Sequence, residues 1–453
     1  MTSIAGAARR LAVTLVNPPS APGTTTNREG SAGMGTVYDG TGGFLYPPHT
    51  LATVASALRD AGHAVCAVDA TVQGFRPEDV SGAEIVGVFA SYASLHADMA
   101  FIATLRESTS ARLIVFGPSM RFVGGQMLSG APVDAVLVGE AEGFFAAMLQ
   151  AAGAEDAAWV KPRLWTAGDV GAACCDAHGF VQDLDALPRP AWDMLPTDKY
   201  DLLTVQSSRG CPDLCAYCPY AAAQGHAFRR RSTGSVLAEL AWLQDELRPA
   251  RLVFRDAVFA RDRQRVIELC EGLLERGLRL RWECESRPEH FDAELLRLMQ
   301  RAGCQWVKIG LETTDAVLLQ RLRRVSSPHE AARYVQHAAG VVRACEDVGV
   351  RCRLFVMAGL PGQDVASAEG TRRFLAGLRP TALHVKAFDW YPGLDLEAAD
   401  AGDPAAQLDE LRLAQQALRS TGTDAGLLAR VRRRVRGALG GQKRSGREEG
   451  SSD

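Results

Sequence analysis

The chain has 453 residues, 47% of them hydrophobic and 23% charged, and a formal net charge of −3. Such a composition supports a sizeable core and excludes wholesale disorder. The near-neutral balance excludes a global positive field that would collect nucleic acid or an anionic membrane. No apolar run approaches the roughly 18–20 residues of a membrane span, and Leu11–Val16 is too short for a signal-peptide core; a cytoplasmic protein is the expectation.

In chain order, the first 150 residues alternate strand and helix signals. Strands are expected at Leu11–Asn17, Ala64–Asp69, Ile85–Ala90, Arg112–Phe116 and Ala135–Val138. Helices are expected at Thr50–Ala61, His96–Glu107 and Ala141–Ala152. Short apolar strands between helices indicate a doubly wound parallel sheet, whose ligands sit beyond the carboxyl ends of the strands. Those ends lead into Gly30–Gly43, Ser91–Leu95, Gly117–Gly125 and Gly139–Gly143, Gly/Ser/Thr-rich loops suited to close backbone approach. No G-x-G-x-x-G follows the first strand, which disfavours a dinucleotide site. Residues 17–49 read as one long irregular loop.

Residues 153–200 read as a Pro-rich connector. From about 201 six strand–helix units follow, with strands at Leu202–Ser207, Arg251–Phe254, Leu278–Glu283, Trp306–Ile309, Arg351–Met357 and Ala382–Phe388. Helices are expected at Ser235–Glu246, Arg263–Arg276, Asp292–Ala302, Pro328–Asp347 and Val365–Leu378. Six units fall short of a closed eight-fold barrel, so an open, partial barrel is expected, with its site at the strand carboxyl ends. The fold class is thus α/β: a doubly wound sheet over 1–152, a connector at 153–200, and a partial (β/α)6 barrel over 201–393. A tail at 394–453 completes it, with helices at Gln407–Arg419 and Gly426–Leu439 and a disordered end.

Eleven cysteines, an odd number without a signal peptide, argue against a disulfide scaffold. Cys66 and Cys270 read as buried free thiols, and Cys174-Cys175 as structural. Only Cys211, Cys215 and Cys218 form a dense group, in a loop directly after the first barrel strand. Three thiolates at spacings of four and three can converge on one soft-metal centre. Zinc is the alternative, with His226 the nearest fourth ligand. Three cysteines on a four-iron cubane leave one iron open.

The text "SSRGCPDLCAYC", with Tyr217 before the last cysteine, resembles the radical S-adenosylmethionine (SAM) superfamily. "LVFRDAVF", "MQRAGCQWVKIGLET", "VMAGLPGQD" and "WYPG" agree in the same order. Upstream, "YPPHTLATVASALRDAGHAV", "GPSM" and "VDAVLVGEAE" resemble the cobalamin-binding domain of one large subfamily. The resemblance implies a 4Fe–4S cluster on Cys211, Cys215 and Cys218, whose open iron chelates SAM. One electron into the sulfonium then yields a 5′-deoxyadenosyl radical. It implies contact of Tyr217 with adenine and of Glu312 with the ribose and amino group. Asp256, ending the second strand, is either an amine ligand or a helix cap. Glu285 and Ser286 end the third strand and face the site, and Arg353 either points inward or snorkels outward. Ser91, Gly117, Gly139 and Glu140, in the strand-end loops, are the candidate cobalamin contacts. The D-x-H-x-x-G cobalt-ligand motif is absent. Tyr38, Tyr46, His49, Tyr92 and Arg121 are near enough in the loops to approach cobalt, and His63 reads as structural.

The implied activity is C-methylation of an unactivated carbon, with cyclisation, ring contraction or oxidation as the alternative outcome. The expected partners are a small-molecule substrate and an electron donor such as flavodoxin or ferredoxin. Methylthio transfer is excluded because residues 1–150 hold Cys66 alone. Only five of the 50 basic residues are lysine, which suggests a GC-rich genome and a secondary-metabolic setting.

Overall fold

A computed structural model describes residues 10–40, 43–151, 164–165, 179–391, 393–396 and 404–420. The N-terminal strands are nearly unbroken apolar runs, as strands covered on both faces must be. They are β1 (Ala12–Asn17), β4 (Ala64–Asp69), β5 (Ile85–Phe89), β6 (Arg112–Phe116) and β7 (Ala135–Leu137). All five pair in parallel, in the order β4-β1-β5-β6-β7, and β8 (Leu164–Trp165) adds an antiparallel edge. The helices α2 (His49–Asp60), α3 (Ala70–Gln73), α4 (Leu95–Ser108), α5 (Met120–Gly130) and α6 (Ala141–Ala151) connect them.

Three expectations change. Residues 17–49 are not one irregular loop: β2 (Thr24–Asn27) and β3 (Thr36–Asp39) form an antiparallel hairpin around the short helical turn α1 (Gly30–Gly33). Polar threonines hid these strands, and tertiary bonds hold them. Arg28 is buried against Asp98, with Nε and Nη2 on one carboxylate oxygen at 3.1 and 2.5 Å, and also reaches the Pro18 carbonyl at 2.7 Å. Gly117–Gly125 is not a loop beyond its first residues, because α5 starts at Met120. Cys66 is exposed, since β4 is the sheet edge and the pleat turns this side chain outward.

The second half is a six-stranded, all-parallel sheet in the order β16-β15-β14-β13-β12-β9. Its strands are β9 (Leu203–Val205), β12 (Leu252–Phe254), β13 (Trp282–Ser286), β14 (Cys304–Glu312), β15 (Arg351–Ala358) and β16 (Ala382–Ala387). A small antiparallel clip, β10 (Ser208–Arg209) with β11 (Arg229–Arg230), and the short α7 (Pro219–Gln224) flank the cysteine loop. The covering helices are α8 (Thr233–Trp242), α9 (Arg263–Glu275), α10 (Ala293–Arg301), the short α11 (Ala316–Arg321), α12 (Pro328–Val348) and α13 (Val365–Ala376). Each long helix starts where the sequence puts an N-cap: Ser232, Asp262, Asp292, Ser327 and Asp364 each accept a backbone N–H of the first turn. The tail contributes α14 (Pro404–Ser420), packed on α13 and β16. The expected helix at Gly426–Leu439, the pair Cys174-Cys175 and most of the connector lie outside the described residues.

The fold is therefore a doubly wound parallel sheet followed by an open, six-stranded partial barrel. One hydrophobic core crosses between the halves, from Leu15, Leu51 and Phe116 through Trp192 to Leu240 and Phe254. Trp192 is buried, and the Ala191 N–H donates to the Ala52 carbonyl at 2.9 Å. This seam fixes how the two strand-end edges confront each other.

Candidate functional site

The six barrel strands end on one mouth, and the cysteine loop lies over it. Its path is set by backbone. Gly210 has φ +77°, and a Cβ there would lie 2.0 Å from the Ala227 carbonyl oxygen, so only glycine fits. The Cys211 N–H donates to Gly225 O at 3.1 Å and the Ala216 N–H to Leu322 O at 3.0 Å. Beneath the loop, Asp256 accepts from the Ser207 N–H at 2.8 Å and from the Ser207 and Ser208 hydroxyls at 2.5 and 2.6 Å, with Arg265 at 3.6 Å. It is not the α9 cap, which is Asp262; its carboxylate anchors the root of the cysteine loop.

Burial, with the Asp213 carboxylate close by, pushes the Cys211 thiol up to about 12, and burial raises Cys218 as well. Without a metal these two thiols are protonated at neutral pH; a coordinating thiol is deprotonated outright. His226 is exposed, and among the described residues no three His, Cys, Asp or Glu side chains are grouped to hold one metal ion. A zinc ion needs its ligands about 2.0–2.3 Å from a single point. A cubane binds each thiolate through a different iron, so its cysteines stand farther apart.

Tyr217 is buried against Leu322, Met357 and Leu360, and its hydroxyl donates to Glu312 Oε1 at 3.0 Å. Glu312 is a non-glycine residue at φ +64°, where the β14–β15 register shifts. A Cβ on Gly310 would meet Glu312 Oε1 at 2.1 Å, so this glycine admits the carboxylate. Burial raises the Glu312 pKa against the opposing Arg324 guanidinium, and burial likewise raises that of half-buried Glu285. The Ser286 hydroxyl is engaged by the Ala260 N–H at 3.2 Å and His290 Nδ1 at 2.8 Å. The Arg353 guanidinium stacks on Trp306, 5.1 Å from the ring centre, near the opposite end of the barrel.

The carboxyl edge of the N-terminal sheet faces this mouth directly. Arg255 pairs with Glu29 at 3.4 Å, His49 Nδ1 lies 3.2 Å from Thr204 Oγ1, and Lys386 Nζ donates to Ser31 Oγ at 3.2 Å. Glu140 takes Arg229 on both oxygens at 2.8 Å, and Glu142 takes Arg209 at 2.5 Å. A small cavity lies between the halves, lined by Glu29, His49, Glu140, Arg209, Gln224 and Arg255.

The structure thus gives several predicted loop residues protein partners. Both Glu140 oxygens are occupied by barrel arginines, with the Val181 N–H at 2.7 Å in addition. A Cβ at Gly117 (φ +149°) would lie 2.2 Å from Ala90 O, and one at Gly139 (φ +105°) 2.5 Å from Gly179 O. Both glycines are required by neighbouring backbone. Ser91 is buried, with Oγ 2.7 Å from Ser94 Oγ and its N–H on Asp98. Of the residues considered near cobalt, Arg121 donates to Ala222 O, Tyr46 lies under Arg255, and Tyr92 packs on Tyr391. Tyr38, its pKa raised to about 12 mainly by burial, neighbours Tyr46 and Tyr391. His49 is buried against Trp192, and burial with nearby arginines lowers its pKa to about 3. Sequence reading missed Arg209, Arg229, Arg324 and Lys386; arginine is too common here to mark a site, and a lysine among five was the one usable signal.

Residues 205–375 match the model of the Radical SAM superfamily. The chain contains a radical SAM domain. It is similar to an uncharacterized methyltransferase of Pyrococcus horikoshii, 26% identical over 366 residues, 77% of each chain. It is also similar to the anaerobic magnesium-protoporphyrin IX monomethyl ester cyclase of Rubrivivax gelatinosus, 23% identical over 78% of this chain and 66% of that one. In fold it resembles the radical SAM methyltransferase TsrM from Kitasatospora setae, solved with cobalamin and a [4Fe-4S] cluster, at TM-score 0.66 and 16% identity over 84% of this chain and 75% of that one.

The residues of the cysteine loop fit an anionic cluster. Beside three sulfur donors lies Arg324, a buried guanidinium that makes no ion pair with a carboxylate among the described residues. A buried cation needs a compensating anion. At the facing sheet edge, Ser119 Oγ at the end of β6 and Asn27 Oδ1 on the hairpin are buried without a protein partner. Such groups suit a ligand rich in hydrogen-bonding substituents.

Proposed function

We propose that this radical SAM protein is a cobalamin-dependent methyltransferase that C-methylates an unactivated carbon of a small molecule, a natural-product intermediate. The observation that carries the reading is the placement of the C-x3-C-x2-C loop. It sits on the mouth of the partial barrel, opposite the carboxyl edge of a doubly wound sheet. When bound, the cluster and SAM supply a 5′-deoxyadenosyl radical, and cobalamin supplies the methyl group.

Cys211, Cys215 and Cys218 hold the cluster. Tyr217 and Glu312 form one hydrogen-bonded unit beside it that positions SAM. Asp256 and Ser286 act through the loops they bond, and Glu285, at the mouth, faces the substrate. Ser91, Ser119 and the turns at Gly117 and Gly139 shape the cobalamin edge, while Glu140 docks the halves. The proposed division is 1–152 for the cobalamin unit, 153–200 connector, 201–393 barrel and 394–453 tail. The electron donor is of the flavodoxin or ferredoxin class.

The likeness to a cyclase supports a second outcome, ring closure without methyl transfer. Anaerobically reconstituted protein given SAM, methylcobalamin and a reductant separates these. 5′-Deoxyadenosine from wild type and none from Cys211→Ala supports the radical chemistry; undiminished formation by the variant refutes it. A product heavier by one CH₂ supports methyl transfer, and an unchanged carbon count supports the second outcome.

A further inference from the structure

Arg324 follows α11, and every nitrogen of its guanidinium is engaged by the protein. Nε donates to the Tyr334 hydroxyl at 2.8 Å, Nη2 to the Gly310 carbonyl at 3.3 Å, and Nη1 to Cys215 Sγ at 3.7 Å. The group is buried and lies over the Tyr334 ring, 5.1 Å from its centre. Tyr334 itself bonds the Gly310 carbonyl, which locks the stack. A second guanidinium reaches the same sulfur: Arg287 Nη1 lies 3.8 Å from Cys215 Sγ. Arg287 is tied to Asp213 at 3.4 Å, to Glu289 at 2.8 Å and to the Arg324 carbonyl at 2.9 Å.

The two arginines differ in charge balance. Arg287 is ion-paired with carboxylates, whereas the hydrogen bonds of Arg324 go to neutral acceptors and the Cys215 sulfur, and the Glu312 carboxylate opposes it without a direct ion pair. Cys215 Sγ is the one sulfur to which the Arg324 guanidinium donates among the described residues.

We infer that Arg324, assisted by Arg287, is the positioning and charge-compensating group that sets the reduction potential of the cluster through Cys215. The inference rests on the cluster reading proposed above. A cubane on three thiolates is an anion, and its reduction adds one more negative charge. A fixed buried cation donating N–H to a ligand sulfur favours the reduced form and raises the potential. The protein thereby eases entry of the electron on which SAM cleavage depends.

The test is a potentiometric titration of the anaerobically reconstituted full chain, with the reduced cluster followed by electron paramagnetic resonance. Arg324→Met is expected to lower the reduced-to-oxidised ratio at a fixed potential at least tenfold, a midpoint about 59 mV more negative for one electron. Arg324→Lys, which keeps the charge but not the fork, is expected to shift less. A midpoint unchanged in Arg324→Met at wild-type iron content overturns the inference. Should that variant take up no iron, Arg287→Met carries the same test, with a negative shift supporting and no shift overturning. Wild-type protein that takes up no iron defeats the cluster reading and the inference with it, whereas iron uptake with an unshifted midpoint defeats the inference alone.

Discussion

Replacing Glu140 with alanine removes the densest ionic contact between the two halves. Oε1 accepts from Arg229 Nη2 at 2.8 Å; Oε2 accepts from Arg229 Nη1 at 2.8 Å and the Val181 N–H at 2.7 Å, with Arg209 at 3.2 Å. All three charged side chains are buried. Breaking such a buried pair costs about 3–5 kcal/mol, because the surviving charge stays desolvated. Here the survivors keep partners: Arg229 retains the Val181 and Gln224 carbonyls, and Arg209 retains Glu142. The expected loss is therefore near the lower end, about 3 kcal/mol. Urea unfolding followed by two probes measures it, and a Glu140→Ala/Arg229→Ala cycle isolates the pair. A single-mutant loss below about 1 kcal/mol, the range of exposed pairs, would refute the reasoning. So would strict additivity in the cycle. The pH dependence has a definite sign. Burial alone would raise the Glu140 pKa, but Arg209, Arg229 and the Val181 N–H outweigh it and hold it below the ordinary 4.5. Its contribution is thus complete above pH 4.5 and is lost as pH falls through the depressed value.

Further outcomes follow from other positions. His49, held neutral with its pKa down at about 3 against an ordinary 6.5, binds its proton more readily in the unfolded chain. Stability should therefore fall as pH drops from 6.5 toward 3, and His49→Asn should flatten that limb of a stability–pH curve. Gly310→Ala should displace Glu312 from Tyr217, since the new Cβ would meet the carboxylate at 2.1 Å; SAM affinity measured by calorimetry should drop while the fold, read by circular dichroism, persists. Trp192→Ala should cost about 3–5 kcal/mol, as a large side chain is lost from the seam of the core, and unfolding by urea reads it. Gly210→Ala should lower iron incorporation on reconstitution, because the left-handed loop entry excludes a side chain; iron content equal to wild type would contradict this.

Much of this protein was legible in its sequence, for identifiable reasons. Continuous apolar strands alternating with capped helices specify parallel α/β layers, and both sheets carry the expected strands in parallel. Asp262, Asp292, Ser327 and Asp364 mark helix starts locally, so the four barrel helices they open fall within two residues of expectation. The C-x3-C-x2-C spacing is likewise local, since eight residues of one loop carry it. What failed to read was whatever depends on distant partners. The hairpin at 24–39 has no apolar alternation and is held by Arg28 on Asp98, seventy residues away. Gly117 and Gly139 look like ligand loops, yet each is glycine because another stretch of backbone passes within a Cβ's reach. Asp256 and Glu140 look like cofactor contacts until the serines and arginines that occupy them are seen. The sequence by itself therefore determined most element types, the layer order and the grouping of three cysteines in one loop, because periodicity, capping and loop spacing act over a few residues. Only the tertiary structure decided which charges are compensated. Burial and pairing between remote segments set that, and they leave Arg324 bonded to Cys215 with no direct ion pair among the described residues.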